Sequence, residues 1–295
     1  MSAEDNICAM TGANGFVGSC LKRRLQTEGW RVVSWTRRPD PATDAVAFRL
    51  GQEVDPSLLK GVRALVHCAY DFGPLREAEI TAVNVTGSQK LLQAAKEAEV
   101  ETIVVVSSLS GFAGCRSRYG KAKLQIESLA LSAGAFAIRP GLVYGSHSGG
   151  MFGQLARQVR GSRIVPILWG GNQVQYLVHE EDLGNLLMGA LAGRVPRGTG
   201  PISAAHAQGW ELKDILARIA SALGKHVSFV PVPWPVIWLG LKSLELAGAP
   251  AAFRSDSLIS MVYQDPSPNF DLLKSFGFRC RPFQIPPGML DNAAV

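Results

Sequence analysis

The sequence predicts an α/β protein, a doubly wound parallel sheet followed by a smaller C-terminal part. Three observations carry this. Short Val/Ile/Ala-rich runs alternate with helical patterns through the first half of the chain. A glycine-rich turn, TGANGFVG at residues 11–18, directly follows the first of those runs. After Gly145 the alternation loosens and a Pro/Trp-rich stretch appears.

Strand-like runs cover residues 6–10, 31–36, 46–49, 64–67, 102–107 and 135–138. Helical patterns occupy 16–28, 77–98 and 118–131 between them. Nearly unbroken apolar runs are expected where helices cover both faces of a sheet. Strand–helix–strand order makes that sheet parallel and doubly wound. In the second half, a glycine-rich loop at 149–153 leads into a helix ending at 160. A strand at 174–178, a helix at 182–191, a short strand at 201–203 and an amphipathic helix at 211–223 follow. Residues 1–145 therefore read as one domain and 146–295 mainly as a second part. Elements of about 174–203 are expected to return to the first sheet, with no flexible linker between the parts.

The 295 residues allow one large domain or two modest ones, and 47% hydrophobic with 18% charged residues is ordinary globular composition. Net charge is +6. Its basic clusters, 22–24, 37–38 and 116–123, are short and lack interleaved aromatics or a nucleic-acid motif. Anionic cofactors and small-molecule substrates explain the sign, and no nucleic-acid partner is expected. The most apolar stretch, 227–248, is interrupted by Pro231, Pro233 and Pro235 and carries Lys242 and Glu245. It is too short to span a bilayer and reads as a buried or substrate-covering helix rather than a membrane-surface one. The acidic N-terminal segment, without a basic region or long apolar core, is not expected to be a signal peptide. Five cysteines without a C-x-x-C pair argue for free thiols in a reducing cytoplasm and against structural zinc. His179 followed by Glu180, Glu181 and Asp182 reads as a strand end and an acidic helix start, not a metal site.

Gly12, Gly15 and Gly18 are spaced three apart at a strand-to-helix turn, where backbone N–H groups meet a phosphate. Tyr119 and Lys123 stand i, i+4 on one helix face. A free phenol is a poor base at neutral pH, and a neighbouring ammonium favours its ionised form. Such a pair suits proton exchange with a carbonyl or alcohol oxygen. Ser107 and Ser108 end a strand at the carboxyl edge of the sheet, where ligands bind. Two other motifs do not hold. GCRSRYGK (114–121) spaces its glycine and lysine wrongly for a P-loop and has Ala122 after the lysine, and no G-x-S-x-G elbow exists.

Taken in order, these pieces resemble the extended short-chain dehydrogenases/reductases of the NAD-dependent epimerase/dehydratase family. They are TGANGFVG, VHCA (66–69), NVTGSQKLL (84–92), VSS (106–108), YGKAK (119–123), IRPGLVYG (138–145) and LVHEEDL (177–183). FDLLKSFGF (270–278) is similar to the usual end of the family. The resemblance implies a Rossmann-type sheet and a C-terminal part that binds substrate. It implies a catalytic set of Ser108, Tyr119 and Lys123, with Asn84 supporting a proton relay. The other reading of Asn84 is a buried helix polar group bonded to backbone. Cofactor contacts would come from Thr11, Gly12, Asn14, Gly15, Phe16, Val17, Gly18, Ala69, Pro140, Tyr119 and Lys123. Arg37, where an acidic residue would bind the ribose of NAD, favours NADP, with NAD as the alternative.

Several positions depart from the family pattern. Arg49-Leu50-Gly51 stands where relatives often carry an Asp near the adenine. Gly141 replaces an Asn, and Gln175 an Arg, of sugar-nucleotide members, while Arg254 is retained as a candidate phosphate ligand. The expected activity is hydride transfer at a carbinol or carbonyl carbon, as net redox or as epimerisation. A nucleotide sugar leads as substrate. An apolar ketone or sterol-like alcohol, suggested by Trp234 and Trp238, stands second, and a non-catalytic NADP sensor third. A homodimer through helices 77–98 and 118–131 is the family's usual assembly.

Overall fold

The computed structural model describes residues 6–145, 149–249 and 253–290. Its centre is a seven-stranded, all-parallel sheet. Six of its strands come from the first half: β1 (Ile7–Thr11), β2 (Arg31–Thr36), β3 (Val46–Ala47), β4 (Ala64–His67), β5 (Thr102–Val106) and β6 (Phe136–Pro140). The later strands are β7 (Leu142–Tyr144), β8 (Ile164–Leu168), β9 (Val174–His179), β10 (Ile202–Ala204), β11 (Gly209–Glu211) and β12 (Ser228–Val232). The sheet order is β10-β6-β5-β4-β1-β2-β3, so the chain reverses direction between β1 and β4. In this Rossmann-type order the crevice at that reversal, beyond the carboxyl ends, receives ligands.

The helices are α1 (Phe16–Thr27), α2 (Glu77–Ile80), α3 (Gly87–Glu97), α4 (Arg118–Ser132), α5 (Gly150–Gly161), α6 (Glu180–Leu191), α7 (Leu212–Ala222), α8 (Trp234–Leu246), α9 (Ser255–Val262) and α10 (Asp271–Ser275). Strand side chains alternate between two cores. Met10, Val66 and Val104 join Leu21 of α1 and Leu187 of α6, whereas Ala9, Leu65 and Val105 join Leu91 of α3 and Ile126 of α4. This period-two division is why the strands read as unbroken apolar runs.

The helix expected over 77–98 is interrupted. Between α2 and α3 the segment Thr81–Thr86 widens to π-helical turns, and Asn84 lies within it. Such bulges aim side chains off the regular helix face.

The strand expected at 174–178 does not enter the main sheet. As β9 it pairs parallel with β7 and antiparallel with β11, while β10 adds to the main sheet beside β6. The cause lies at Gly141. A Cβ there would sit 2.1 Å from the Tyr176 carbonyl oxygen, so the missing side chain lets β9 close on the turn after β6. The helix expected from 152 begins two residues earlier, as α5 at Gly150, with Gly149 and Gly150 close against the Phe16 ring. The strand read over 46–49 shortens to two residues at the sheet edge. His179 caps α6, accepting a hydrogen bond from the Glu181 N–H, and three acids occupy that helix's first turn. Helix α8 contains no buried residue. No helix among the described residues is long and apolar enough to cross a membrane.

Candidate active site

The glycine turn is shaped by close approach. Gly12 has φ 68°, and a Cβ on it would lie 2.7 Å from the Ala69 N. A Cβ on Gly18 would lie 2.1 Å from the Gly12 oxygen. Gly15 caps α1 and supplies no side-chain acceptor, so the first-turn N–H groups stay open. A cradle without side chains at a helix N-terminus fits a pyrophosphate. Asn14 donates to the Thr36 hydroxyl at 3.4 Å, tying the turn to the end of β2. Arg37 follows, 66% exposed and 3.9 Å from the Asp71 carboxylate. Val17 packs on the core from the first turn of α1. Ala69 follows β4, and Pro140 ends β6, at the same carboxyl edge.

A hydrogen-bond chain fixes this edge. The Ala69 N–H donates to Thr11 Oγ1, which faces His67 Nδ1 at 2.6 Å. His67 Nε2 lies 2.8 Å from Ser88 Oγ, which donates to the Asn84 carbonyl. Because the serine donates onward, His67 donates from Nε2 and accepts at Nδ1. Burial, with Lys123 nearby, pushes this imidazole down to about 3, so it stays neutral. The chain thereby ties the π-helical segment to β1 and β4.

Helix α4 presents the reactive pair. Ser117 caps it, accepting from the Gly120 N–H at 3.0 Å. Asp256, from α9, accepts from the Arg118 and Tyr119 N–H groups at 2.9 and 2.8 Å. A carboxylate at a helix N-terminus is favoured by both hydrogen bonding and the helix dipole. Replacing Asp256 with Ala is expected to cost about 1–2 kcal/mol in stability and to lower kcat more than it raises KM. Asn at this position restores most of both. Unfolding curves and steady-state kinetics on the two variants check this, and equal kinetics for wild type and Ala would refute a positioning role.

The Ser108 hydroxyl lies close enough to the Tyr119 phenol to draw its pKa downward, and it accepts from the Ser110 N–H at 3.1 Å. Ser107 is buried with no partner for its hydroxyl, so the geometry separates the serine pair in favour of Ser108. Lys123 is buried and donates to the Val106 carbonyl at 2.8 Å, its Nζ 5.9 Å from the Tyr119 ring centroid. Burial lowers this ammonium to about 8. Burial also raises Tyr119 to about 12, with Ser108 pulling the other way. The expected lowering of Tyr119 by Lys123 is therefore absent here: desolvation dominates, and the ammonium is committed to a carbonyl. Asn84 makes no hydrogen bond to either residue. It accepts from the Asp71 N–H at 2.7 Å and donates to the Asp71 carbonyl at 3.0 Å, holding the loop after β4.

That loop brings two aromatics the sequence reading passed over. Phe72 stacks on Tyr119 with centroids 5.7 Å apart, and Tyr70 meets it edge-on at 4.9 Å. Their position just after a strand end was the available signal. Asp256 offered none, because its contact with α4 spans 137 residues of sequence. Tyr119 opens into a cavity of about 540 Å³, walled by Tyr70, Phe72, Leu75, Trp234, Trp238 and Ile259. Arg116, Arg118 and Arg254 also border it. Gln175 is buried opposite Trp210 in the small sheet and does not reach it.

Sheet order and glycine turn together define a Rossmann-type nucleotide-binding protein. Residues 8–198 match the NAD dependent epimerase/dehydratase family, and the chain belongs to it. It is 26% identical over 281 residues to a ceramide reductase of Caulobacter vibrioides, covering 89% of this chain and 86% of that protein. It is 30% identical over 238 residues to an uncharacterized protein of Mycobacterium tuberculosis, matching 78% of this chain but only 24% of that longer one. Among solved structures it is similar to MoeE5 in complex with UDP-glucuronic acid and NAD. That match has a TM-score of 0.70 at 23% identity and covers 94% of this chain and 95% of that one.

Proposed function

We propose that the chain is an NAD(P)-dependent oxidoreductase that reduces a carbonyl carbon in an apolar substrate, with NADP as the preferred cofactor. The observation that carries this is Tyr119, beside Ser108 and opening into a cavity to which Tyr70, Phe72, Trp234, Trp238 and Tyr263 contribute rings. The turn at 12–18 would hold the pyrophosphate, Arg37 a ribose 2′-phosphate, and Lys123 the nicotinamide ribose. A bound reduced nicotinamide supplies the hydride. Tyr119 donates its phenolic proton to the substrate oxygen, and Ser108 orients that phenol.

The apolar reading takes precedence over a nucleotide sugar for two reasons. The position of the sugar-nucleotide Asn is Gly141, and the Tyr176 carbonyl leaves no room there for any side chain. Gln175, in place of the Arg, lies outside the cavity. The ceramide reductase relative supports the same reading. One observation favours the nucleotide sugar: three arginines border the cavity and would suit a diphosphate.

A single panel discriminates. NADPH and NADH oxidation is followed with long-chain ketones and with nucleotide sugars, using wild type and Arg37→Ala. The expected result is turnover of ketones, faster at low NADPH, with Arg37→Ala weakening NADPH roughly tenfold and leaving NADH unchanged. Turnover of nucleotide sugars alone overturns the substrate assignment, and tighter NADH binding unaffected by Arg37→Ala overturns the cofactor assignment.

A further inference from the structure

Helix α8 carries its charges on the wrong side for a surface helix in water. A surface helix normally turns its charges outward and its apolar stripe inward. Here Trp234 and Trp238 face the cavity together with the helix's two charged residues, Lys242 and Glu245. Those charges are engaged inward: Lys242 pairs with Glu245 at 3.3 Å, and Glu245 accepts from both the backbone N–H and the hydroxyl of Ser255 on α9. The opposite stripe, 236, 239, 243 and 246, holds no charge. Val236 and Leu239 are each 62% exposed and Leu246 is 76% exposed. This apolar face therefore has no partner within the described chain.

We infer that α8 is an interfacial helix that seats the protein on an anionic phospholipid surface, with the cavity beside it. Two observations choose lipid over a second copy of the chain. The protein carries a net charge of +6, so a second copy of the chain would bring like charges together. An anionic surface complements that charge. The face is also continuous with the cavity through one helix, Trp234 and Trp238 inside and Leu239 outside. An apolar substrate, sparingly soluble in water, would pass from bilayer to Tyr119 along that helix. This route rests on the apolar-substrate reading, but docking itself is measured without substrate.

The test is sedimentation of the full chain with vesicles of phosphatidylcholine alone or mixed with phosphatidylglycerol. The wild type is expected to pellet with the phosphatidylglycerol vesicles and to be released as salt rises. The double substitution Leu239→Ser, Leu246→Ser is expected to lower partitioning about tenfold or more, with the thermal midpoint and NADPH affinity unchanged. Wild type remaining in the supernatant with both vesicles, or a double variant that pellets equally, overturns the inference. So does a light-scattering mass that doubles in the wild type and halves in the variant without vesicle binding, which would assign the face to a second copy. Vesicle binding without turnover of any long-chain ketone supports the docking and refutes only the substrate reading.

Discussion

Tyr119→Phe is expected to lower reductive turnover by about 10²–10⁴-fold while cofactor affinity and fold stay as in the wild type. The ring would remain in its place, against Phe72 and Tyr70, so packing is preserved. Only the hydroxyl beside Ser108 is lost. Because burial holds this phenol near 12, it is protonated throughout the neutral range and set to give a proton rather than take one. The alkaline side belongs to Lys123. Its ammonium is lowered to about 8, so the charge is present below that value and lost above it. The reductive rate is expected to decline as pH rises through about 8. Stopped-flow NADPH oxidation across pH 6–10 reads both effects. Wild-type turnover by the Phe variant would remove Tyr119 from the chemistry and leave a binding protein on the same fold.

The main sheet was legible because its code is local. Runs such as TIVVV at β5 lie in both cores at once. The pairing of Tyr119 with Lys123 was legible for the same reason, as both sit on one helix. Ser108 rather than Ser107 was favoured by the family offset alone, and the turn after β5 places the Ser108 hydroxyl beside Tyr119 while it accepts from the Ser110 N–H. The second half was read less well. Strands β7 and β8 and helix α9 gave no periodic signal, being three, five and eight residues long. Their stability comes from the third core, where Tyr144, Val165, Leu177, Ile215 and Phe283 meet from distant parts of the chain. The largest surprise was α8. Its apolar content was read as burial or as a cover over substrate, and one face does line the cavity. The other faces solvent, which composition alone could not distinguish.

Gly18→Ala is expected to damage the protein more than any other single methyl added to the glycine turn. The new Cβ would lie 2.1 Å from the Gly12 oxygen and 2.8 Å from the Gly12 carbon, both backbone atoms that no rotamer change can move aside. Either α1 lifts from β1 or the turn opens. The first separates Leu21 and Leu25 from the core they share with Met10. The second displaces Gly12, whose φ of 68° already holds it against Ala69. Overpacking of this kind costs about 1–3 kcal/mol, and here the same shift misplaces the N–H groups offered to the pyrophosphate. Urea unfolding should show that loss, and dinucleotide affinity should fall by about tenfold or more, since each 1.4 kcal/mol is a factor of ten. Gly15→Ala supplies the comparison. Its backbone is extended rather than left-handed, and its nearest neighbour to a new Cβ is the Gly12 oxygen at 3.3 Å, a contact relieved by a few tenths of an ångström. That variant should lose well under half as much stability. Equal losses at 15 and 18 would show that the turn yields as a unit, and that close approach of α1 to the strand end is not what requires glycine at 18.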